Sequence, residues 1–337
     1  MDEALDPRWR TVGDPDADAL VERLSDSPRW HSALRGSARN GDRPGIPELA
    51  QFFGDHARLP TDARADVLAR ATQWCDAHLS YLSIGMLCGS LPLLFLGAEG
   101  AAVLTGTGEL VARVDARINR TGAFVLDVTE RGGCGPAGRA LRAASEVRLI
   151  HALVRRSHAD KASGTDATPI CQQDMVTTLF AFAVMPVRCA RRLGVNVTAR
   201  EAQDHYALWR SLGPALGVRP DLLPESVDDA DPLLDALVEA NAAPSEAGRA
   251  LAAALLEGIA RHLAVPGRTE AAAWIVRYLI GERLATILSI PDVDSKVRRT
   301  WSRLAGGAAV RRLIPLLGRD LHRMIVRHKL RYSSNNS

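Results

Sequence analysis

A histidine and two arginines in the predicted helix 139–159 have the types and spacing of a ligand site. Arg148 lies three residues before His151, and Arg155 lies four after it, so helical geometry places the three side chains on one face. Valines at similar spacing make the rest of that face apolar. Two neighbouring positive charges disfavour an imidazolium, and a neutral imidazole keeps the lone pair that a metal ion requires. The spacing therefore predicts that His151 is a metal ligand between two cations.

The sequence also restricts the kind of metal that His151 could bind. The chain has no His-Glu-x-x-His motif, and its five cysteines lie at least 13 residues apart, which argues against a zinc enzyme and a disulfide framework. A single protein ligand favours iron whose other positions are filled by a macrocycle, and two guanidinium groups would suit the carboxylates of a haem. The alternative from spacing alone is a core histidine with a backbone partner, beside arginines in ordinary ion pairs.

A second group of polar residues lies on the preceding predicted helix. Arg117 and Thr121 are four residues apart, and Arg113 and Arg120 are four and three residues from Arg117, so these side chains share a face. Like charges in this arrangement destabilise an isolated helix. They indicate an anion or a polarised ligand nearby. The alternative is a solvated basic stripe that pairs with acidic residues of the same helix.

The elements that must position these residues are predicted to be helices. Asn-Gly or Asp-Gly hairpin signals between alternating segments are nearly absent, whereas apolar residues at helical spacing are frequent. With 47% apolar and 24% charged residues, the chain can build a large core. The fold class is therefore all-α. The predicted helices cover approximately 61–78, 79–96, 99–130, 139–159, 172–192, 198–216, 229–241, 245–262, 269–287 and 296–331.

We expect one large helical domain with two flanking regions. Residues 1–47 are rich in Asp, Arg, Pro and Gly, which predicts an N-terminal extension of short helices and irregular structure. Residues 48–295 form the main domain. Residues 296–337 are predicted to form basic helices that pack on it, with a disordered end. The tract 296–331 has eleven Lys or Arg and one acidic residue, a local charge of +10, which indicates pairing with the acidic remainder of the chain.

Charge and hydropathy argue against nucleic-acid and integral-membrane classes. The formal net charge is only +3, and no nucleic-acid motif accompanies the basic tract. Residues 79–98 contain no charge and are long enough to span a bilayer, but serines, glycines and a proline dilute them, so we predict a buried core helix. The N-terminus has no basic region followed by an apolar stretch. We therefore expect a cytoplasmic protein. We also expect it to be a monomer.

Segments along most of the chain resemble the latex clearing protein (rubber oxygenase) and MpaB-type oxygenase family. The resemblance is strong because the segments occur in order. They are VGDPDADAL (12–20), GAAVLTGTGEL (100–110), RINRTGAFVLDV (117–128), the helix with Arg148-x-x-His151-x-x-x-Arg155, PICQQDMVTTLFAF (169–182), DHYALWRSLGPALGV (204–218), PSEAGRALAAALL (244–256) and IVRYLIGERLATIL (275–288).

The resemblance implies a globin-like helical core around one haem b. His151 falls on the position of the family's iron ligand, and Arg148 and Arg155 fall on residues near the haem. The family's distal motif is Arg-x-x-Lys-Thr, and here it is Arg117-Ile-Asn-Arg120-Thr121. A lysine amine can bind iron in the closed form of family members, whereas a guanidinium does so poorly. The resemblance therefore implies a more open iron in this chain.

A second departure concerns the substrate. In rubber-cleaving members a glutamate acts as base on the allylic position, and this chain has Ala101 there, with Glu99 two residues away.

We therefore expect a haem b-dependent oxidoreductase that uses O₂ or a peroxide on a small, largely hydrophobic substrate, in a biosynthetic pathway. His151 would bind iron, Arg117, Arg120 and Thr121 would serve catalysis, and Arg148 and Arg155 would hold the haem or the His151 helix. The alternatives are a polyisoprene-cleaving dioxygenase and a non-catalytic haem-binding or gas-sensing protein.

Overall fold

The computed structural model describes residues 3–24, 30, 46–106, 110–135, 138–159, 167–262 and 267–295. Within these residues every regular element is a helix, apart from an isolated bridge between Gly97 and Ala242. The prediction of an all-α domain is therefore confirmed. The predicted helix 296–331 and most of the predicted loop 161–169 lie outside the described residues.

The described helices form two groups in chain order. The first group comprises 3-10 turns at Glu3–Leu5 and Pro7–Arg10, then α1 (Pro15–Leu24), α2 (Pro47–His56), α3 (Ala65–Ala77), α4 (Leu79–Gly85), a π-turn (Met86–Ser90), α5 (Leu91–Leu94), α6 (Ala98–Gly106), α7 (Leu110–Thr129) and α8 (Ala140–Ala159). The second group comprises α9 (Gln172–Ala183), α10 (Met185–Arg192), α11 (Ala199–Leu212), 3-10 turns at Pro214–Leu216 and Pro220–Leu222, α12 (Val227–Asn241), α13 (Glu246–His262), α14 (Arg268–Ile280) and α15 (Glu282–Ile287).

Several predicted long helices are divided at proline or glycine. The predicted helix 172–192 becomes α9 and α10, which meet at Val184, two residues before Pro186. Proline has no N–H to donate, so the helical hydrogen bond that residue 186 would make to the preceding turn is lost. The predicted helix 269–287 is divided at Gly281, whose φ of 89° lies in the left-handed region. Each break lets the chain turn and pack the next helix against the core.

The uncharged segment 79–98 folds as a short, broken helix. Its π-turn ends two residues before Pro92, whose backbone nitrogen has no hydrogen to donate to the next helical hydrogen bond. Helix α4 packs against α10, and the π-turn contacts α14. Among the described helices, none is individually long and apolar enough to cross a membrane; Ala65–Ala77 with Leu79–Leu94 meets the length and composition requirement only as a pair bent by 86°.

One main core extends through nearly the whole described chain. Its buried residues run from Ala4 to Val293 and include Phe180, Tyr206 and Trp209. A second cluster joins α1 and α2 to one side of α8. A third cluster lies between α3, α4, α10 and α11. The N-terminal helices thus pack on the same structure as the central ones, and α8 lies between the main core and the second cluster.

Candidate functional site

His151 lies in the middle of α8, on a helix whose other side is firmly packed. Leu149 and Ala152 are 0% and 1% exposed in the cluster with α1 and α2. The His151 side chain is half-buried, and its Nδ1 atom has no contact with solvent. The imidazole is therefore held on a rigid helix and presented on the side away from the best-packed residues.

Arg148 forms a buried ion pair with the segment that begins α1. Its side chain is 7% exposed and that of Asp14 is 2% exposed. The Nη2 group donates to Asp14 at 2.8 Å and to Asp16 at 3.4 Å, while Nε also donates to Asp14. Gly217 packs on this pair: its φ is 84°, and a Cβ there would collide with the Asp14 carboxylate. The loop after α11 therefore encloses the ion pair.

Arg155 makes a similar set of contacts one turn after His151. Its Nε donates to Asp18 at 2.8 Å, and its Nη1 donates to the carbonyl of Ile170 at 3.0 Å. Ile170 has a φ of 53°, a conformation that is rare for a β-branched residue and costs on the order of 1–3 kcal/mol. The Arg155 Nη2 group is buried and has no hydrogen-bond partner. One donor of this guanidinium thus remains available.

The structure supplies counter-ions that the charge argument from sequence omitted. Asp14, Asp16 and Asp18 lie in the VGDPDADAL segment, and they compensate the two arginines that flank the imidazole. Arg148 is therefore in an ordinary ion pair, as the alternative interpretation proposed. The same holds for Arg155, except for its Nη2 group. Both side chains fix α8 to the N-terminal segment. The signal that could have found the aspartates was their own spacing, because Asp14 and Asp18 are four residues apart at a helix start.

Helix α7 contains the residues predicted to serve catalysis. Thr121 is half-buried and Arg120 is exposed. Arg117 belongs to the same helix, but its side chain lies outside the described part of the chain. Phe124, three residues after Thr121, meets the ring of Trp209 edge-on with centroids 6.2 Å apart. Residues three apart share a helix face, so the Thr121 face of α7 is directed toward α11.

Glu99, the residue closest to the position of the family's base, is engaged at the N-terminal segment. Its carboxylate accepts from Arg10 Nη2 at 2.7 Å, and its side chain is 45% exposed. Ala101 is fully buried. Asp174, at the start of α9, is another carboxyl group in this region, and burial raises its pKa. Glu99 is thus one partner of a half-exposed ion pair, while Ala101 contributes only a methyl group to the core.

Glu146 is a largely buried carboxyl group on the same helix as His151, with its side chain 14% exposed. Burial raises its pKa to about 7, and the nearest cation, Arg142, is 3.9 Å away. Desolvation disfavours the charged form and the distant guanidinium compensates it only partly. Sequence reasoning missed Glu146, because its spacing from Arg142 predicts an exposed helical ion pair.

His205 is a core histidine of the kind that the alternative interpretation proposed for His151. It is 0% exposed. Its Nδ1 lies 3.4 Å from Cys75 Sγ, and its Nε2 lies 3.3 Å from the carbonyl of Phe182. Burial lowers its pKa to about 4. Both ring nitrogens are therefore occupied, one by α3 and the other by α9, which marks His205 as structural.

The donor set suits a macrocyclic cofactor better than a bare ion. Among the described residues no three His, Cys, Asp or Glu side chains converge to hold a metal ion. A structural or catalytic zinc site needs at least three such ligands. A haem needs one axial donor from the protein, and His151 on α8 can supply it. The buried Nη2 donor of Arg155, one turn away, fits a carboxylate in the same region.

Comparisons with known proteins agree with this architecture. Residues 80–312 match the family model of the ER-bound oxygenase mpaB/B'/rubber oxygenase catalytic domain. The chain is 26% identical over 331 residues to the rubber oxygenase of Streptomyces sp. (strain K30), which covers 93% of this chain and 79% of that protein. The solved structure of latex clearing protein in the closed state has a TM-score of 0.78 and 22% identity, and covers 94% of this chain and 91% of that chain. The structural likeness confirms the single helical domain.

Proposed function

Because this chain belongs to the mpaB/B'/rubber oxygenase family and is an oxygenase of that family, we propose that it is haem b-dependent and acts on a small, largely hydrophobic substrate. The observation that carries the proposal is the setting of His151. It is half-buried on a helix fixed by two aspartate-paired arginines, and the described residues contain no multi-ligand metal site. A single imidazole ligand is what a haem iron requires.

In this proposal, bound haem supplies the oxidising chemistry with O₂ or a peroxide. His151 would donate its imidazole lone pair to iron. Arg148 would act indirectly, since its ion pair with Asp14 fixes the orientation of α8. Arg155 would do the same through Asp18, while its remaining Nη2 would bind a haem carboxylate.

The distal side of the proposed site would be formed by α7. The Thr121 hydroxyl and the Arg117 guanidinium would donate hydrogen bonds to the oxidant and stabilise charge that develops on it. Arg120 would have a weaker influence, because it is exposed. The core side chains next to this face, Phe124 and Trp209, would exclude water and bind apolar substrate atoms.

A second candidate function is cleavage of polyisoprene, since the curated relative is a rubber oxygenase. Glu99 would then have to replace the family's base, and its ion pair with Arg10 disfavours that role. Incubation with a short polyisoprenoid, followed by analysis for carbonyl cleavage products, separates the two candidates. A gas-binding protein without catalysis is the third, favoured if the reduced protein binds O₂ reversibly and candidate substrates yield no product.

The principal test is cofactor retention in a His151→Gly variant. We expect the purified wild-type protein to show a Soret band that shifts on reduction with dithionite, and the variant to lose it. Added imidazole should restore the band by occupying the vacated position. His205→Gln is the matched control, because it alters a buried histidine that is not assigned to iron, and it should retain haem. A full Soret band in His151→Gly without imidazole contradicts the proposal.

The distal assignment has its own test. Arg117→Ala and Thr121→Val should keep the Soret band of the wild-type protein but lose turnover by about 100-fold, the usual cost of removing one preorganised donor. Arg120→Ala should have a smaller effect. Unchanged turnover in Arg117→Ala would exclude the distal role while leaving the assignment of His151 intact.

A further inference from the structure

Trp209 contains a buried hydrogen-bond donor that the protein itself does not use. The side chain is 0% exposed, and its indole Nε1 has no hydrogen-bond partner. A buried donor without an acceptor costs about 1–3 kcal/mol, and tryptophan N–H groups usually find a partner when they are buried. The Trp209 N–H is therefore a donor that remains available for an acceptor on a bound molecule.

The position of Trp209 indicates where that molecule would bind. Its ring stacks on Phe182 of α9 at 5.2 Å and meets Phe124 of α7 edge-on at 6.2 Å. Phe124 lies one turn beyond Thr121 on the same face of α7. The 3-10 turn Pro214–Leu216, which follows α11 directly, packs against α8, the helix of His151. Trp209 thus belongs to the part of α11 that joins both helices of the proposed site.

Trp74 has a comparable indole N–H in another part of the core. Trp74 also has a buried Nε1 without a partner. It stacks on His78 with centroids 5.0 Å apart and lies in the separate cluster between α3, α4, α10 and α11. Its ring also meets His205 edge-on at 5.3 Å, so Trp74 provides a matched reference for an indole N–H buried in the structural core.

We propose that Trp209 donates its Nε1–H hydrogen bond to an oxygen acceptor of a molecule bound between α7, α8 and α11. This rests on the proposed function, and it makes Trp209 a specificity-determining residue. The acceptor is a carboxylate or carbonyl oxygen, which either haem or an oxygenated substrate can provide. A pure hydrocarbon such as polyisoprene offers no such atom, so a hydrocarbon substrate would leave the donor unsatisfied unless haem supplies the acceptor.

The test uses Trp209→Phe with Trp74→Phe as control, because each substitution removes one unpartnered N–H and keeps an aromatic ring. In the first arm the apo forms of both variants and of the wild-type protein are titrated with haemin. In the second arm the haem-loaded forms are titrated with geranylacetone, an isoprenoid ketone, and with myrcene, an isoprenoid hydrocarbon, and the Soret difference spectrum is recorded. Both arms measure binding and require no turnover.

We expect Trp209→Phe to weaken one of these affinities by about tenfold, the equivalent of one hydrogen bond, and Trp74→Phe to leave it unchanged. Weaker haemin binding identifies a haem carboxylate as the acceptor. Weaker binding of geranylacetone, with myrcene and haemin unaffected, identifies the substrate oxygen. If Trp209→Phe and Trp74→Phe have the same affinity for haemin, and the same affinity for geranylacetone, the proposal is overturned.

Two controls keep the outcomes distinct. If the wild-type protein takes up no haemin, the proposed function fails. If it takes up haemin and the variants do not differ, only the role of Trp209 fails.

Urea unfolding of the apo proteins shows whether Trp209→Phe folds. If it does not, replacement of Trp209 by 3-benzothienylalanine removes the N–H with almost no change of shape, and the same two titrations decide.

Discussion

The helices of His151 and His205 are both joined to a neighbouring segment by ion pairs, but the two imidazoles have opposite surroundings. Around His205, α3 and α11 meet through the Arg70–Asp204 ion pair, but the imidazole itself is in a neutral setting, next to the Cys75 thiol and the Trp74 ring. Around His151, α8 is fixed to the N-terminal segment by buried charges, Arg148 with Asp14 and Arg155 with Asp18. His205 is fully enclosed, whereas His151 is half-buried.

The difference shows how a structural histidine can be distinguished from a candidate ligand. A core histidine lowers its cost of burial by occupying both ring nitrogens within the protein, as His205 does with Cys75 and the Phe182 carbonyl. A ligand histidine must instead be presented by a helix whose orientation other side chains determine. Charged pairs serve this purpose on α8, since they are directional and strongly destabilising when broken.

The largest expected effect comes from breaking the buried ion pair between Arg148 and Asp14, which fixes α8. Arg148→Met leaves the Asp14 carboxylate buried without a counter-ion, and should lower the free energy of unfolding by about 3–5 kcal/mol. Arg156→Met is the control on the same helix, because Arg156 pairs with Glu22 at the surface, with side chains 37% and 72% exposed. It should cost less than about 1 kcal/mol. Urea unfolding at neutral pH measures both.

The charged pair can also be removed as a whole. The double variant Asp14→Asn with Arg148→Met should recover part of the stability that Arg148→Met loses, because no uncompensated charge remains. Equal losses for Arg148→Met and Arg156→Met would mean that the buried pair does not fix α8.

The stability of the protein should decrease in acid because His205 is buried as a neutral group. Burial lowers the pKa of His205 to about 4, from an ordinary value of about 6.5. Between these values the unfolded chain binds a proton that the folded protein does not, so stability is lost as the pH falls from about 6.5 to 4, by up to about 3 kcal/mol. His205→Gln should be less stable at pH 7 and lose this part of the acid dependence. An unchanged slope below pH 6.5 would contradict the assignment.

The smallest expected effect on stability is that of Glu146, on α8. Its pKa is raised to about 7, so the folded protein retains a proton that the unfolded chain releases at lower pH. Stability should therefore fall as the pH rises from about 4.5 to 7, by about 1–3 kcal/mol, since partial exposure and Arg142 reduce the cost. Glu146→Gln should remove this decrease. Unfolding midpoints of both proteins at pH 5 and pH 8 test it, and parallel changes would argue against a buried protonated carboxyl.

Much of the fold could be predicted from local pattern, and the errors have local causes. The helix 139–159 corresponds to Ala140–Ala159, because its apolar spacing is regular and no proline or glycine interrupts it. The predicted helices 172–192 and 269–287 were too long, since the effect of Pro186 and Gly281 on chain direction was omitted. The domain boundaries and the roles of the site residues stay predictions.

The sequence by itself determined which residues could take part in chemistry: a histidine and two arginines on one face of α8, and a threonine on α7. Helical periodicity is a local property, so spacing alone places such side chains together. Only the tertiary structure decided which charges compensate Arg148 and Arg155, that Glu99 pairs with Arg10, and that the Trp209 N–H is enclosed near α7. These contacts join residues far apart in the chain, and their energies depend on burial, which no local pattern contains.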